Sequence, residues 1–311
     1  MQESLILGTV RATEEAARSA TLLIGKGDKE KADQVAVNAM RTALNSLDIN
    51  GTIVIGEGER DEAPMLYIGE KVGKGGEKID IALDPLEGTT LTSKGGNNAL
   101  TVIAMAKHGC FLNAPDVYMQ KIAVGGGLPQ GIIDLDKSIT ENLQMLAKAK
   151  QKPVQDLTVC ILERPRHQKI IDEIRTLGAS IKLISDGDVF AVIATSIKEI
   201  DIDLYIGTGG APEGVLAAAA LRCLGGQMQA RLIFRNDVEK GRANKCGITD
   251  FYKKYTLDDL AKGDVIFAAT GVTDGDFLRG VKIKNNITYT HSIVMDSASN
   301  TVRYIENRKQ H

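Results

Sequence analysis

The sequence has few of the features that mark a secreted, membrane or metal-cysteine protein. Its four cysteines are scattered and form no CxxC pair, so neither a structural zinc site nor a disulfide framework is expected. No apolar run approaches the roughly 20 residues that a membrane helix needs. The first residues, MQESLILGTVRATEE, lack the basic flank of a secretory signal. These absences favour a cytoplasmic protein with reduced thiols.

Charge of one sign is not concentrated anywhere along the chain. Lysine and arginine number 38 and aspartate and glutamate 40, which gives a formal net charge of -2 without any block of like charges. Neither a nucleic acid nor a membrane surface is therefore expected as a partner. With 43% hydrophobic and 25% charged residues among 311, the chain can bury a sizeable core. A small molecule is the expected partner.

Hydrophobic patterning predicts helices and strands mixed along the chain. Helices are predicted near the start, over about 31–47, after Pro64 through MLYIGEKVG, and at NLQMLAKAK, HQKIIDEIRTLG and PEGVLAAAALRCLGG. Strands are predicted at TIVIGEG, IDIALD, ALTVIAMA, TVCILE, ASIKLIS, DLYIGTGG, QMQARLIF, DVIFAATGV, ITYTHSIV and TVRYIE. This mixture indicates a layered α/β or α+β architecture. The loop-like GGGLPQG predicts subdomains of about 1–135 and 150–311 within a single catalytic domain, 1–311.

Acidic residues recur where a predicted strand ends or a predicted helix begins, namely at Asp28, Asp33, Glu57, Glu59, Asp61, Asp84, Glu87 and Glu213. Strand ends in an open α/β sheet converge on one crevice. Carboxylates roughly 4 Å apart would repel by about 1 to 4 kcal/mol per pair unless a cation neutralises them. Because the ligands are all oxygens, magnesium or manganese is favoured over zinc. Taken singly, Glu213 and Asp33 are also explained as acids favoured near a helix N-terminus.

The residues after Glu87 suit an anion. Gly88 allows the backbone to approach a ligand closely. If a helix or nest begins there, the amides of Gly88, Thr89 and Thr90 would donate to a phosphate. Thr89 also offers a hydroxyl that can orient a water molecule. A simple turn with an N-cap is the alternative interpretation.

A second group of polar residues lies later in the chain: Tyr118, Arg164, Pro165, Arg166, Asp186, Gly187 and Asp188. The two arginines flank a proline that fixes the local backbone, and their planar guanidiniums suit bidentate capture of an anion. Solvated surface charge is the alternative. The two aspartates would accept hydrogen bonds from hydroxyl groups of a ligand, or form a plain Asp-Gly turn. The tyrosine would donate to a phosphate or pack in the core.

Six segments carry a resemblance to a known family: IGEGERDEAPMLYIGE, DPLEGTT, FLNAPDVYM, RPRH, SDGDV and GGAPEGV. In this order and spacing they resemble the class II fructose-1,6-bisphosphatases, within the lithium-sensitive sugar and inositol phosphatases. The resemblance extends from about residue 4 to about residue 290. It implies a sugar-phosphatase-like fold, a layered sandwich of alternating helix and sheet layers. It also implies hydrolysis of the 1-phosphate of fructose 1,6-bisphosphate in gluconeogenesis, Mn²⁺ or Mg²⁺ as cofactor, and a homo-oligomer, dimer or tetramer.

The resemblance also assigns roles to individual positions. The metal ligands are Asp33, Glu57, Asp84, Glu87 and Glu213. The catalytic residues are Thr89, Asp33 and Glu57. The substrate-binding residues are Glu87, Gly88, Thr89, Tyr118, Arg164, Pro165, Arg166, Asp186, Gly187, Asp188 and Gly210.

Two other functions stay open on sequence alone. One is a broader phosphatase that acts on sedoheptulose 1,7-bisphosphate or on an inositol phosphate, since the same metal site serves all of these substrates. The other is a non-catalytic sugar-phosphate sensor. Such a sensor would be expected to have lost a metal carboxylate or Thr89, and the sequence retains them.

Overall fold

The structure is a computed structural model that describes residues 3–58 and 65–310. The chain divides into two compact units, one formed by Met1–Leu112 with Lys262–His311 and the other by Asn113–Ala261. Each unit is an α/β structure in which helices pack against a mixed sheet, which confirms the predicted fold class. Among the helices of the described ranges, none combines the length and the apolar character needed to cross a bilayer.

The elements are numbered along the chain. The strands are β1 (Ile49–Ile55), β2 (Lys71–Val72), β3 (Glu77–Glu87), β4 (Leu100–Lys107), β5 (Tyr118–Val124), β6 (Thr158–Leu162), β7 (Ser180–Ile184), β8 (Leu204–Gly210), β9 (Gln227–Ile233), β10 (Tyr255–Thr256), β11 (Val265–Gly271), β12 (Lys282–Lys284), β13 (Ile287–Asp296) and β14 (Thr301–Gln310). The α-helices are α1 (Glu3–Thr21), α2 (Lys29–Leu44), α3 (Thr89–Lys94), α4 (Ile139–Lys150), α5 (Gln168–Thr176), α6 (Asp188–Ala194), α7 (Ala211–Leu224), α8 (Asp237–Lys245) and α9 (Leu257–Leu260).

The first unit is built on an eight-stranded sheet with the order β12-β13-β11-β4-β3-β1-β2, in which β14 pairs with β13. Helix α1 packs on α2 and against β3, β4, β11 and β13, and it buries Ile6, Val10 and Ala17 as its spacing predicts. Asp28 caps α2, because its carboxylate accepts a hydrogen bond from the Lys31 amide at 2.9 Å. The cap fixes where the helix that carries Asp33 begins.

The second unit contains a six-stranded sheet with the order β10-β9-β5-β8-β6-β7. Strand β6 runs parallel to β7 and β8, whereas β5 runs antiparallel to β8 and β9. Ile122 and Val124 of β5 belong to a buried apolar cluster with residues of α4 and α5. The carboxyl ends of β6, β7 and β8 and the start of β5 therefore lie at the same edge of this sheet.

The prediction of a helix through MLYIGEKVG, residues 65–73, is wrong. Residues 65–70 form turns and bends, and the two residues of β2 pair antiparallel with β1. Gly69 and Gly73 have φ values of 93° and 96°, which an α-helix excludes. Pro64 lies outside the described residues, as do Glu59 and Asp61.

The compact units also differ from the predicted subdomains. The predicted boundary between 135 and 150 falls inside the second unit, since β5 before it pairs with β8 and β9 after it. Strand β5 lies outside the predicted strands, because a buried lysine, Lys121, interrupts its apolar pattern. The single catalytic domain over 1–311 stays a prediction.

Candidate functional site

The end of β3 brings two carboxylates together through an irregularity in the strand. Residues three apart on a regular strand would face opposite sides of the sheet. Pro85 offers no N–H to the ladder, and the register of β3 against β4 shifts between Asp84 and Glu87. The Leu86 amide donates to Asp84 Oδ1 at 2.9 Å. As a result, carboxylate oxygens of Asp84 and Glu87 lie within 4.8 Å of each other.

A second pair of acids lies beside Asp84. Because β1 runs parallel to β3, both strands end at the same edge of the sheet, and Glu57 follows β1 there. Glu57 hydrogen-bonds to Asp33, in the second turn of α2. Burial and the negative charge of Asp84 together raise the pKa of Asp33 to about 6, and the bond to Glu57 opposes that rise. The structure thus brings Asp33, Glu57 and Asp84 together within the first unit.

The turn after Glu87 has the backbone that an anion site requires. Gly88 adopts the left-handed conformation with φ 92° and ψ 47°, and α3 begins at the next residue, Thr89. A Cβ on Gly88 would lie 3.0 Å from Leu91 Cδ1, so packing as well as conformation favours glycine. A helix therefore begins directly after Gly88, and the role of this turn in binding an anion stays a prediction.

In the second unit, predicted substrate-binding residues converge at the sheet edge described above. Tyr118 at the start of β5 pairs with Gly210 at the end of β8. The Arg166 guanidinium lies 4.9 Å from the centre of the Tyr118 ring, and its Nε and Nη2 donate to the Thr208 carbonyl at 3.2 and 2.7 Å. Arg235 lies 5.0 Å from the same ring. Arg235 is not among the predicted residues, because only the pairing of β9 with β5 brings it there.

Arg164, two residues before Arg166, contacts the turn that carries Asp186. Pro165 begins a short 3₁₀ turn after Arg164, and Arg164 Nη2 donates to the Ser185 carbonyl at 2.7 Å. Burial raises the pKa of Asp186, while the Gly187 amide and the charge of Arg164 oppose that rise. Arg164 and Asp186 therefore lie close to each other.

Asp188 also has partners inside the second unit, and its role as a substrate-binding residue stays a prediction. Its side chain is buried, and its Oδ2 accepts from Lys121 Nζ at 2.5 Å and from the Tyr205 hydroxyl at 3.0 Å. The reason is that Asp188 begins α6, a helix whose every residue is buried. This carboxylate oxygen already has two internal donors, so a sugar hydroxyl would have to compete with them.

Glu213 lies in the first turn of α7, after Gly210 and Pro212, as the sequence predicts. A Cβ on Gly210 would lie 1.9 Å from Glu213 Oε2, so the glycine is required for the carboxylate to fold back over the end of β8. Its role as a metal ligand stays a prediction.

The geometry defines an α/β protein with a cluster of carboxylates that could hold a metal ion, and sequence comparison identifies its family. Residues 3–309 match the family described as bacterial fructose-1,6-bisphosphatase, glpX-encoded. The chain is 48% identical to fructose-1,6-bisphosphatase 1 class 2 of Escherichia coli strain K12, over 99% of this chain and 95% of that protein. It is 45% identical to fructose-1,6-bisphosphatase class 2 of Haemophilus influenzae, over 99% and 96% respectively. The chain belongs to the glpX-encoded family of bacterial fructose-1,6-bisphosphatases.

Similar solved structures are more distant. The extragenic suppressor protein suhB of Bartonella henselae has a TM-score of 0.36 and 15% identity, covering 63% of this chain and 74% of that one. The inositol monophosphatase of Anabaena has a TM-score of 0.32 and 13% identity, covering 62% and 70%. These likenesses are too slight to carry an argument about fold or function.

Proposed function

We propose that this chain is a phosphoric monoester hydrolase that converts fructose 1,6-bisphosphate into fructose 6-phosphate and phosphate with the help of divalent cations. The observation that carries the proposal is the 48% identity to a fructose-1,6-bisphosphatase over 99% of the chain. The carboxylates of the first unit and the arginines of the second supply the functional groups that such a reaction requires.

The metal ligands are Asp33, Glu57, Asp84 and Glu87, together with Glu213 from the sequence resemblance. The described acids fit a cation because burial and the negative charge of Asp84 together raise the pKa of Asp33, and a divalent ion would relieve both the desolvation of the carboxylate and the repulsion. All-oxygen ligation favours Mg²⁺ or Mn²⁺. When bound, such ions neutralise charge on phosphoryl and leaving oxygens and lower the pKa of a coordinated water.

The remaining residues of the site orient the substrate and the water. Gly88 and Thr89 bind the phosphate that is cleaved, and the Thr89 hydroxyl directs the attacking water. Arg164 and Arg166 bind the phosphate that is not cleaved, with Tyr118 beside them, and the contact of Arg166 with the Tyr118 ring at 4.9 Å keeps that guanidinium in place. Binding energy from these contacts orients the sugar without taking part in the chemistry.

The deciding experiment measures phosphate release from fructose 1,6-bisphosphate, sedoheptulose 1,7-bisphosphate and an inositol monophosphate. Each is assayed with a chelator and then with added Mg²⁺ or Mn²⁺. We expect fructose 1,6-bisphosphate to be preferred, and activity to disappear with the chelator and return with the metal. Preference for another substrate would establish one of the alternative phosphatases, and binding without turnover would establish the sensor. A homo-oligomer in the cytoplasm remains part of the proposal.

A further inference from the structure

A lysine ammonium is buried beneath the sugar-binding edge of the second unit. Lys121 lies on β5, the strand that begins with Tyr118, and is only 1% exposed. Its Nζ donates to Asp188 Oδ2 at 2.5 Å and to the Gly210 carbonyl at 3.1 Å. Tyr205 donates to the same carboxylate oxygen at 3.0 Å. These three buried side chains join β5, β8 and α6.

Stability alone is a poor explanation for this ion pair. Removing two charges from water costs several kcal/mol per ion, and a well-packed apolar pair of similar volume is often as stable or more so. The two acceptors of Lys121 also lie among residues that are predicted to bind the substrate. One is the backbone of Gly210 and the other is Asp188, two residues after Asp186. Gly210, Asp186 and Asp188 itself all belong to the predicted substrate-binding set.

Glycines leave the space that the ammonium and its partner occupy. A Cβ on Gly209 would lie 2.2 Å from Asp188 Oδ2 and 3.0 Å from Lys121 Nζ. A Cβ on Gly214, in α7, would lie 3.3 Å from Lys121 Cδ. The end of β8 can therefore approach the ion pair closely only because residue 209 has no side chain. The pair and the glycine together fix where the Gly210 peptide lies.

We propose that Lys121 is a positioning residue for recognition of the sugar. It holds the Gly210 carbonyl directly and, through Asp188, holds the turn that carries Asp186. Asp186 is then the aspartate of the SDGDV segment that accepts from a sugar hydroxyl. The inference rests on the proposed function, because that function defines the substrate that these elements bind.

The experiment separates positioning from stability by comparing a single with a double variant. Lys121→Met leaves Asp188 buried without its cation, so we expect a lower melting temperature. We also expect a KM for fructose 1,6-bisphosphate that is at least about tenfold higher, since small misplacements are costly to oriented binding. Lys121→Met/Asp188→Leu removes both charges and is expected to regain most of the melting temperature. Its KM should remain high, with kcat changed less than about threefold.

The chain offers a matched control in a second ion pair of the same unit. Lys150 Nζ lies 2.5 Å from Asp203 Oδ1, next to the opposite end of β8 from Gly210. Lys150→Met should lower the melting temperature without changing KM. If Lys150→Met raises KM as much as Lys121→Met, the effect is one of general stability and the inference is wrong.

Three further outcomes complete the test. Wild-type turnover of fructose 1,6-bisphosphate is measured first, and its absence refutes the proposed function. In that case the affinity of each variant for fructose 6-phosphate, measured by calorimetry, replaces KM as the test of positioning. Recovery of both melting temperature and wild-type KM in the double variant would show that the pair serves only the fold. Should both Lys121 variants fail to fold, Asp188→Asn keeps the side-chain volume, and an unchanged KM in that variant overturns the inference.

Discussion

The repulsion among the carboxylates of the first unit leads to a prediction about the metal-free protein. Asp33→Asn should make the chelated protein more stable at neutral pH, although it removes a proposed metal ligand. The asparagine carries no charge beside Asp84, and its amide can donate to Glu57, which now hydrogen-bonds to Asp33. A substitution that abolishes activity would thus stabilise the fold.

The magnitude follows from the pKa of Asp33, which rises from 3.8 to about 6. Because the folded-state pKa is raised, the stability from this group is fully present below about pH 4 and is lost as pH rises through about 6. At about 1.4 kcal/mol per pKa unit, the loss is at most about 3 kcal/mol, and partial exposure reduces it. A gain of this size corresponds to an increase in melting temperature of up to roughly 5 °C for a chain of this length.

The assay is thermal unfolding of wild type and variant with a chelator, from pH 4 to pH 8. The two proteins should melt together near pH 4 and separate above pH 6, with the variant more stable. With saturating Mn²⁺ the order should reverse, because the wild type binds the ion more tightly. Asp28→Asn is the control, since it changes an exposed acid of the same helix and asparagine caps as well as aspartate. Coincident melting of wild type and Asp33→Asn at every pH would refute the reasoning.

Three further predictions concern activity and stability at the site. Asp84→Asn or Glu87→Gln should leave the circular dichroism spectrum unchanged and remove nearly all phosphate release, and wild-type turnover at saturating metal would show that these are not ligands. Gly88→Ala should cost about 1 to 3 kcal/mol in urea unfolding, because its φ is 92°, and an unchanged unfolding midpoint would contradict this. Replacing Arg164 and Arg166 together by Ala should lower kcat/KM for fructose 1,6-bisphosphate at least about tenfold. A small monophosphate ester should be nearly unaffected by that change, and equal losses on both substrates would place these arginines in the metal site or the fold.

Patterns that depend on near neighbours in the chain predicted much of the structure. The buried face of α1 and the apolar strands β3, β4 and β11 follow from periodicity, which reports local geometry directly. The helix predicted after Pro64 fails because the apolar spacing of MLYIGEKVG outweighed its two glycines, whose positive φ values break a helix. Strand β5 is not predicted by these patterns, because the charged residue Lys121 stands at a position where an apolar core residue is expected.

The sequence by itself determined the family, the acids at the strand ends and the glycine before α3. These features belong to short motifs with fixed spacing, which can be recognised without knowing how the chain folds. Only the tertiary structure decided which acids meet. Asp33 reaches Glu57 and Asp84 through the packing of α2 and the parallel pairing of β1 with β3. Likewise, Lys121 reaches Asp188 across a separation of 67 residues, a contact that no sequence pattern predicted. No local pattern encodes such contacts, because they arise only when distant helices and strands pack together.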